Sequence, residues 1–153
     1  VSIPVVGGGQ ASCLLAPLVG RQAGLLLADT ARYAEKQLLV AQCGVDPARI
    51  AAIGGIEARG VDLWAERERV LDLLTDAGKH LLAAGRVQVL LLGCLSFLGL
   101  AHPLSERLGV PVVDPAVAPV ALAECLVRQG LKTSRKAYPA PPLRKRTWQS
   151  GQL

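Results

Sequence analysis

The chain has 153 residues, of which 51% are hydrophobic, 19% are charged and 3% are aromatic. This length suits one domain, and the apolar content excludes an intrinsically disordered chain, because such chains lack the apolar surface that offsets the entropy of ordering. So few aromatic side chains argue against a β-sandwich and against a nucleic-acid binder that stacks bases. The core is therefore expected to be aliphatic.

The positive charge, +5 in total, is concentrated at the end of the chain. Six of the 17 basic residues follow residue 131, whereas residues 1–131 carry 11 basic and 12 acidic side chains. A basic tail can contact nucleic acid or anionic lipid, but it is more often a solvated chain end. No apolar run reaches the roughly 18 residues of a membrane span, and residues 1–19 lack the basic start of a secretion signal. We therefore predict no nucleic-acid partner and no membrane partner.

The four cysteines show no spacing typical of a metal site. Cys13, Cys43, Cys94 and Cys125 form no CxxC pair, and the two histidines do not stand at zinc spacing from them. A disulfide framework is not expected in a chain with this much apolar core. We therefore predict four reduced thiols, no metal and a cytoplasmic location.

Short apolar runs alternate with longer helical stretches along the chain. Strands are predicted at residues 2–6, 24–28, 49–53, 87–92 and 110–113. Helices are predicted at residues 10–19, 30–43, 63–84, 101–108 and 114–129, the second, third and last capped by Asp29, Asp62 and Asp114. This alternation is typical of an α/β fold, a parallel sheet flanked by helices. The continuous apolar run at 87–92 predicts a central strand covered on both faces.

Two segments share one pattern, a short strand with proline near its start. Ser2-Ile-Pro-Val-Val-Gly and Gly109-Val-Pro-Val-Val-Asp are offset by 107 residues, from Pro4 to Pro111. Such a repeat suggests two similar lobes, although chance similarity between apolar strand–helix units is common. On this interpretation residues 1–19 end a first lobe, residues 20–130 form a second α/β lobe, and residues 131–153 are a basic, proline-rich tail. The absence of methionine and the apolar start at Val1 then suggest a piece of a longer chain.

Cys94 is the candidate catalytic residue, because ligands of open parallel sheets bind outside the carboxyl ends of the strands. Gly93 and Cys94 follow the most hydrophobic predicted strand. A helix starting within residues 96–99 would place free amides near the thiol and lower its pKa. The alternative for Cys94 is core packing, the usual role of a buried cysteine, and core packing is what we predict for Cys13, Cys43 and Cys125.

A second candidate feature is the run Gly7-Gly8-Gly9, which stands between a predicted strand and a predicted helix. Backbone amides at such a helix start can hold an anion. The run lacks the spacing of a dinucleotide fingerprint and the lysine of a P-loop, so nucleotide binding is not predicted.

Four motifs in the second half of the chain carry a family resemblance. They are Leu-Leu-Leu-Gly-Cys94, Leu-Ser-Glu-Arg-Leu-Gly-Val-Pro-Val-Val-Asp-Pro115, Leu-Ala-Glu124 and Gly-Leu-Lys-Thr-Ser-Arg135. Together with Ala-Tyr-Pro-Ala-Pro-Pro142, they resemble the Asp/Glu/hydantoin racemase superfamily, and most of all its hydantoin racemase branch. The segment Pro4-Val-Val-Gly-Gly-Gly-Gln-Ala-Ser12 resembles a mid-chain segment of that branch, in which a glutamate more often stands at the place of Gln10.

The resemblance implies two similar α/β lobes with an active site between them. Each lobe of such an enzyme supplies one cysteine: one thiolate removes a proton from the substrate's chiral carbon, and the other thiol protonates the opposite face. A small-molecule substrate is implied, a hydantoin or an amino-acid derivative, with no metal or organic cofactor. Cys94 matches the second-lobe cysteine. The candidate substrate-binding residues are Gly8, Thr30, Leu95 and Ser96.

A partner cysteine for Cys94 is not found in the sequence. Cys94 lies 17 residues before Pro111, and the same offset from Pro4 falls before Val1. We therefore expect a racemase-like chain that lacks its first catalytic cysteine and does not racemise alone. Two alternatives stay open: an arylmalonate decarboxylase-like enzyme, in which one cysteine donates a proton after loss of CO2, or a non-catalytic α/β remnant. An apolar surface left uncovered by a missing lobe predicts self-association into a homo-oligomer.

Overall fold

A computed structural model describes residues 3–44, 46–58 and 60–139. Its strands are β1 (Ala23–Leu27), β2 (Ile50–Gly55), β3 (Val89–Leu92) and β4 (Val112–Val113). Its α-helices are α1 (Gly8–Val19), α2 (Tyr33–Gln42), α3 (Arg67–Ala83), α4 (Ala101–Leu108) and α5 (Ala118–Arg128). Short 3-10 turns lie at Thr30–Arg32, Pro47–Arg49 and Leu95–Phe97. The four strands pair in parallel in the order β2-β1-β3-β4, so the predicted parallel sheet flanked by helices is confirmed.

The two central strands, β1 and β3, are buried on both faces. On one face Leu25 and Leu91 pack with Ala16 of α1. On the other face Leu90 and its neighbours pack with Leu74 of α3 and with α4. This double coverage explains why both strands are continuous apolar runs, whereas the edge strands β2 and β4 are only half-buried.

The strand order reverses direction between β1 and β3. The chain passes from β1 through α2 to β2 on one side, and then crosses back through α3 to β3 on the other side of β1. At such a point the connections that leave two neighbouring strands run to opposite sides, and they leave a crevice at the carboxyl ends of the strands. This reversal therefore marks the place where a ligand is expected. The segments that follow β1 and β3 therefore border the candidate site.

The strand predicted at residues 2–6 is wrong over its described part, residues 3–6. Gly7 is extended, with φ −81° and ψ 146°, but the stretch before it pairs with no described strand. Ile3 accepts a hydrogen bond from the Thr133 hydroxyl instead, at 2.9 Å. The proline and valines favour extended backbone, but a strand also needs a neighbour for its amides and carbonyls. Val1 and Ser2 lie outside the described residues.

Three predicted helices begin later than the sequence indicates: α2, α3 and α5, the last of which starts at Ala118 and not at residue 114. The stretch predicted as one helix at 63–84 starts at Arg67, because Asp62 Oδ1 accepts from the amides of Trp64 and Ala65 and closes a separate turn before it. Asp29 likewise accepts from the Ala31 amide at 2.8 Å, in a 3-10 turn that precedes α2. Both aspartates cap amides as predicted, but each caps a turn and not the helix itself.

The lobe boundaries stay predictions. Helix α1, assigned from sequence to the end of a first lobe, packs on the described sheet through Ala16. Of the predicted basic tail, residues 140–153 lie outside the described residues. Within the described part of the chain, every helix is too short or too polar to cross a bilayer.

Candidate active site

Gly93 and Cys94 continue β3 beyond its carboxyl end. The Gly93 amide donates to the Leu26 carbonyl at 2.7 Å, and a Cβ at this position would lie 3.0 Å from that oxygen and 2.5 Å from Leu27 Cδ2. Glycine is therefore required because β1 approaches so closely. Cys94 follows in extended conformation, half-buried, with φ −135° and ψ 133°.

The helix predicted to start within residues 96–99 is a three-residue 3-10 turn, Leu95–Phe97. The Phe97 amide donates to the Cys94 carbonyl at 3.1 Å, and α4 begins only at Ala101. The aligned helix amides that the prediction placed beside the thiol are therefore not there. The reason is tertiary, because the fully buried Phe97 ring anchors this turn in the core facing α3 and α4.

Arg67 of α3 fixes the loop that carries Cys94. Its Nη1 donates to the Ser96 carbonyl at 2.9 Å, its Nη2 donates to the Leu98 carbonyl, and its guanidinium lies over the Trp64 ring at 5.3 Å from the centroid. Arginine suits this role because its planar group donates in two directions at once. A charged side chain thus hydrogen-bonds to the backbone of the loop that follows Cys94.

Asp114 fixes the other end of the same loop. It is buried, its Oδ2 accepts from the Gly99 amide at 2.8 Å, and its Oδ1 accepts from the Ala116 amide at 2.9 Å. The second bond belongs to the turn before α5, which begins only at Ala118, so Asp114 caps this turn and not the predicted helix itself. The first bond joins that turn to the Cys94 loop.

A cavity of about 230 Å³ lies at the carboxyl ends of β1 and β3, where the strand order reverses. The first turns of α1 and the inner side of α2 form much of its wall. Residues that line it include Gly8, Ser12, Lys36, Gly93 and Leu95. We name it the α1 cavity.

The structure brings together two of the four predicted substrate-binding residues, Gly8 and Leu95. Leu95 Cδ2 lies 3.2 Å from where a Cβ on Gly8 would stand. Cys94 packs against the core that faces α3 and α4, on the opposite side of the chain from Gly93 and Leu95. The two sequence neighbours of Cys94 thus line the α1 cavity, whereas Cys94 itself does not.

Thr30 and Ser96 lie apart from the α1 cavity. The Thr30 hydroxyl donates to Glu57 Oε1, and its amide donates to the same oxygen at 3.2 Å. Ser96 is half-buried, and its carbonyl accepts from Arg67. The binding roles of all four residues and the catalytic role of Cys94 stay predictions.

The other cysteines do not stand at strand ends. Cys13 is buried inside α1, and burial, with the neighbouring Cys43 thiol as a smaller cause, raises the pKa of Cys13 to about 12. Cys125 is exposed on α5, where its Sγ accepts from Gln129 Nε2 at 3.2 Å. Core packing is thus confirmed for Cys13 and wrong for Cys125, since nothing described covers that face of α5. Over the described residues, His, Cys, Asp and Glu side chains form no group of three that could hold a metal ion.

Two polar residues of the cavity wall, Ser12 and Lys36, were not predicted from the sequence. Ser12 lies four residues after Gly8, so the two share one face of α1. This spacing was a usable signal, because a serine in an otherwise Ala/Leu-rich helix stood one turn from the glycine run. Lys36 carried no comparable signal, since lysine in an amphipathic helix is ordinary.

Comparison with known proteins agrees with the motifs. A family model described as Asp/Glu/hydantoin racemase matches residues 1–123. Hydantoin racemase of Paenarthrobacter aurescens is 34% identical over 142 residues, which are 90% of this chain and 58% of that protein. Hydantoin racemase of Pseudomonas sp. strain NS671 is 30% identical over 139 residues, which are 90% of this chain and 55% of that protein.

The fold agrees as well. The crystal structure of allantoin racemase from Pseudomonas fluorescens matches with a TM-score of 0.82 and 25% sequence identity, covering 97% of this chain and 63% of that chain. This chain thus spans between half and two thirds of the length of the relatives it matches. The resemblance read from the sequence is confirmed: the chain belongs to the Asp/Glu/hydantoin racemase family.

Proposed function

We propose that this chain carries one half of a racemase active site and moves a proton at the chiral carbon of a hydantoin or amino-acid derivative. The support is the match to two hydantoin racemases and to the fold of an allantoin racemase. The single observation that carries the proposal is the position of Cys94. It is the cysteine that follows a central strand at the carboxyl edge of the described sheet, on a loop tied down by Arg67 and Asp114.

The reaction is a pair of proton transfers. In a hydantoin, the Cys94 thiolate takes the proton from the ring carbon C5. The electron pair of the broken C–H bond moves onto the adjacent carbonyl oxygen and gives an enolate. Return of a proton to the same face restores the substrate, whereas protonation on the opposite face gives the other enantiomer. General acid–base catalysis of this kind needs two groups on opposite faces of the carbon.

The second acid comes, in this proposal, from outside the described residues. Cys13 lies inside α1 beside Cys43, and Cys125 lies on α5, so neither stands at a strand end with Cys94. Taken alone, the chain therefore exchanges the C5 hydrogen with solvent but does not invert the carbon.

The test is incubation of the chain with one enantiomer of 5-benzylhydantoin in D2O. Proton NMR follows loss of the C5 signal, circular dichroism follows loss of optical activity, and a sample without protein supplies the spontaneous rates. We expect protein-dependent exchange that outpaces inversion and falls about 100-fold or more in Cys94→Ser, since general-base catalysis contributes about 10²–10⁴-fold.

Cys125→Ser is the matched control, because it removes an exposed thiol that lies on helix α5 and does not follow a strand. Its exchange rate should equal that of the parent chain. Equal rates in the parent and Cys94→Ser would refute the role of Cys94. Inversion as fast as exchange would refute the proposal of a half-site, since it would show that this polypeptide supplies both acids.

A further inference from the structure

The α1 cavity contains polar groups that the proposed reaction does not use. It lies beside the Cys94 loop, since Gly93 and Leu95 line it, and it opens where the strand order of the sheet reverses. Most of its remaining wall is aliphatic. Three kinds of hydrogen-bond donor interrupt that wall: a serine hydroxyl, the first amides of α1, and a lysine ammonium.

Ser12 is a buried polar residue in this wall. It is 3% exposed, and its Oγ has no hydrogen-bond partner among the described protein groups. A serine within a helix commonly donates to the carbonyl four residues earlier, here that of Gly8, but Ser12 does not. Helical side chains lean towards the N-terminus, so Ser12 leans towards Gly8, which lies close to Leu95 and the Pro115 carbonyl. A buried hydroxyl without a partner costs stability, which points to a ligand that completes it.

The first turn of α1 and Lys36 give the same wall a positive potential. Helix α1 follows Gly7 without a side-chain cap, and its first amides have no carbonyl one turn earlier to bond. Lys36 is half-buried in the wall, and no carboxylate of the described residues pairs with its ammonium. Among the described residues that line the cavity, none is acidic.

We propose that the α1 cavity binds a planar anion, a carboxylate or the anion of an imide, at one end of the substrate. The amides of Gly8 and Gly9 and the Ser12 hydroxyl donate to its oxygen atoms, and Lys36 balances its charge. A volume of about 230 Å³ equals that of about seven or eight water molecules in the liquid, so the cavity takes a small acid and not a nucleotide. The inference that this anion is part of the substrate rests on the proposed function.

The test is a titration of the 15N-labelled full chain, followed through the amide signals of Gly8 and Gly9. Propionate is the carboxylate probe, and the isosteric, uncharged propionamide is its control. 5,5-Dimethylhydantoin is the imide probe, used below and above the pKa of its imide, and it cannot react because C5 carries no hydrogen. We expect saturable shifts with propionate or with the ionised imide, which identifies the source of the charge. Shifts with neither anion, or equal shifts with propionamide, overturn the proposal.

Ser12→Ala separates a binding role from a structural one. It should weaken binding of the anion about tenfold or more, as expected for a lost hydrogen bond to a charged group, yet raise the Tm, because it removes an unpaired buried hydroxyl. Ser105→Ala is the matched control, since the Ser105 hydroxyl donates to the Val110 carbonyl at 2.7 Å. It should lower the Tm and leave the affinity unchanged. Affinity in Ser12→Ala equal to that of the parent overturns the proposal.

Further variants test the charge of the cavity wall and separate anion binding from the reaction of Cys94. Lys36→Gln should weaken binding of the anion, whereas Lys79→Gln, which removes an exposed lysine paired with Asp76, should not. Cys94→Ser should bind the anion like the parent chain. If the parent chain binds the anion but its exchange of the C5 hydrogen does not depend on Cys94, only the proposed function is refuted. If exchange depends on Cys94 but no anion binds, only the proposed anion site is refuted.

Discussion

Replacing Arg67 with alanine tests whether this side chain fixes the loop that carries Cys94. The half-buried guanidinium donates to the carbonyls of Ser96 and Leu98 and lies over the Trp64 ring. Truncation at Cβ removes both hydrogen bonds and the ring contact. The carbonyls that remain lie near the surface, so water replaces part of what is lost.

The expected loss of stability follows from these contacts. A hydrogen bond from a charged donor contributes about 1.5–3 kcal/mol, and an exposed cation–ring contact contributes about 0.5–1 kcal/mol. Because the contacts share one side chain and water compensates in part, we expect a total of about 2 kcal/mol. In a protein of this size, 1 kcal/mol shifts the Tm by about 2–4 °C, so the Tm should fall by about 4–8 °C.

Thermal unfolding followed by circular dichroism measures this loss, and Arg69→Ala is its control. Arg69 is an exposed arginine one half-turn along α3, and it pairs with Glu66 at 2.7 Å on the surface. Surface pairs contribute about 0–1 kcal/mol, so this control should shift the Tm by less than half as much. Alkylation of Cys94 should also become faster in Arg67→Ala alone. Equal Tm values for the two variants, or unchanged alkylation of Cys94, would contradict the role given to Arg67.

Three further outcomes follow from the structure. Iodoacetamide at about pH 8 should modify Cys125 and spare Cys13 until the chain unfolds, because the thiolate is the nucleophile and the pKa of Cys13 is raised to about 12; peptide mass spectrometry reports which cysteine reacts. The free energy of unfolding should fall from about pH 9 towards about pH 12, by up to about 1.4 kcal/mol per pH unit, since the unfolded chain loses this proton first. Urea unfolding measures the slope, which Cys13→Ala should reduce. Gly8→Ala should cost about 1–3 kcal/mol in the same assay, because its Cβ would lie 2.5 Å from the Pro115 carbonyl oxygen, whereas Gly7→Ala, with no atom within 4 Å of the new Cβ, should cost far less.

Local signals in the sequence were sufficient for much of the fold. The apolar run at 87–92 predicted a central strand, and β3 lies there, fully buried. The helix predicted at 101–108 has those bounds in the structure, since Gly109 ends it in the left-handed region at φ 68°. Asp114 was predicted to cap the last helix, and it caps the turn just before that helix by accepting from the Ala116 amide. Such signals succeed because helix ends and buried strands depend on residues close together in the chain.

Other features depended on contacts between distant residues. The pattern at 2–6 favoured extended backbone, but only the sheet decides whether a neighbouring strand is present to pair with it. The turn after Cys94 is short because Phe97 enters the core facing α3, some thirty residues earlier in the chain. Neither fact is encoded in a local window, since each depends on which surface the folded chain presents.

The candidate site divides in the same way. By itself, the sequence determined the family and the parallel sheet, and it made Cys94 and Gly8 candidates for the site, because these rest on motifs and short-range patterns. Only the tertiary structure decided that Gly8 and Leu95 share a cavity with Ser12 and Lys36, and that Cys94 packs on the other side of its strand. The physical reason is that a strand alternates its side chains between two faces, and only the helices packed on each face determine what those side chains meet.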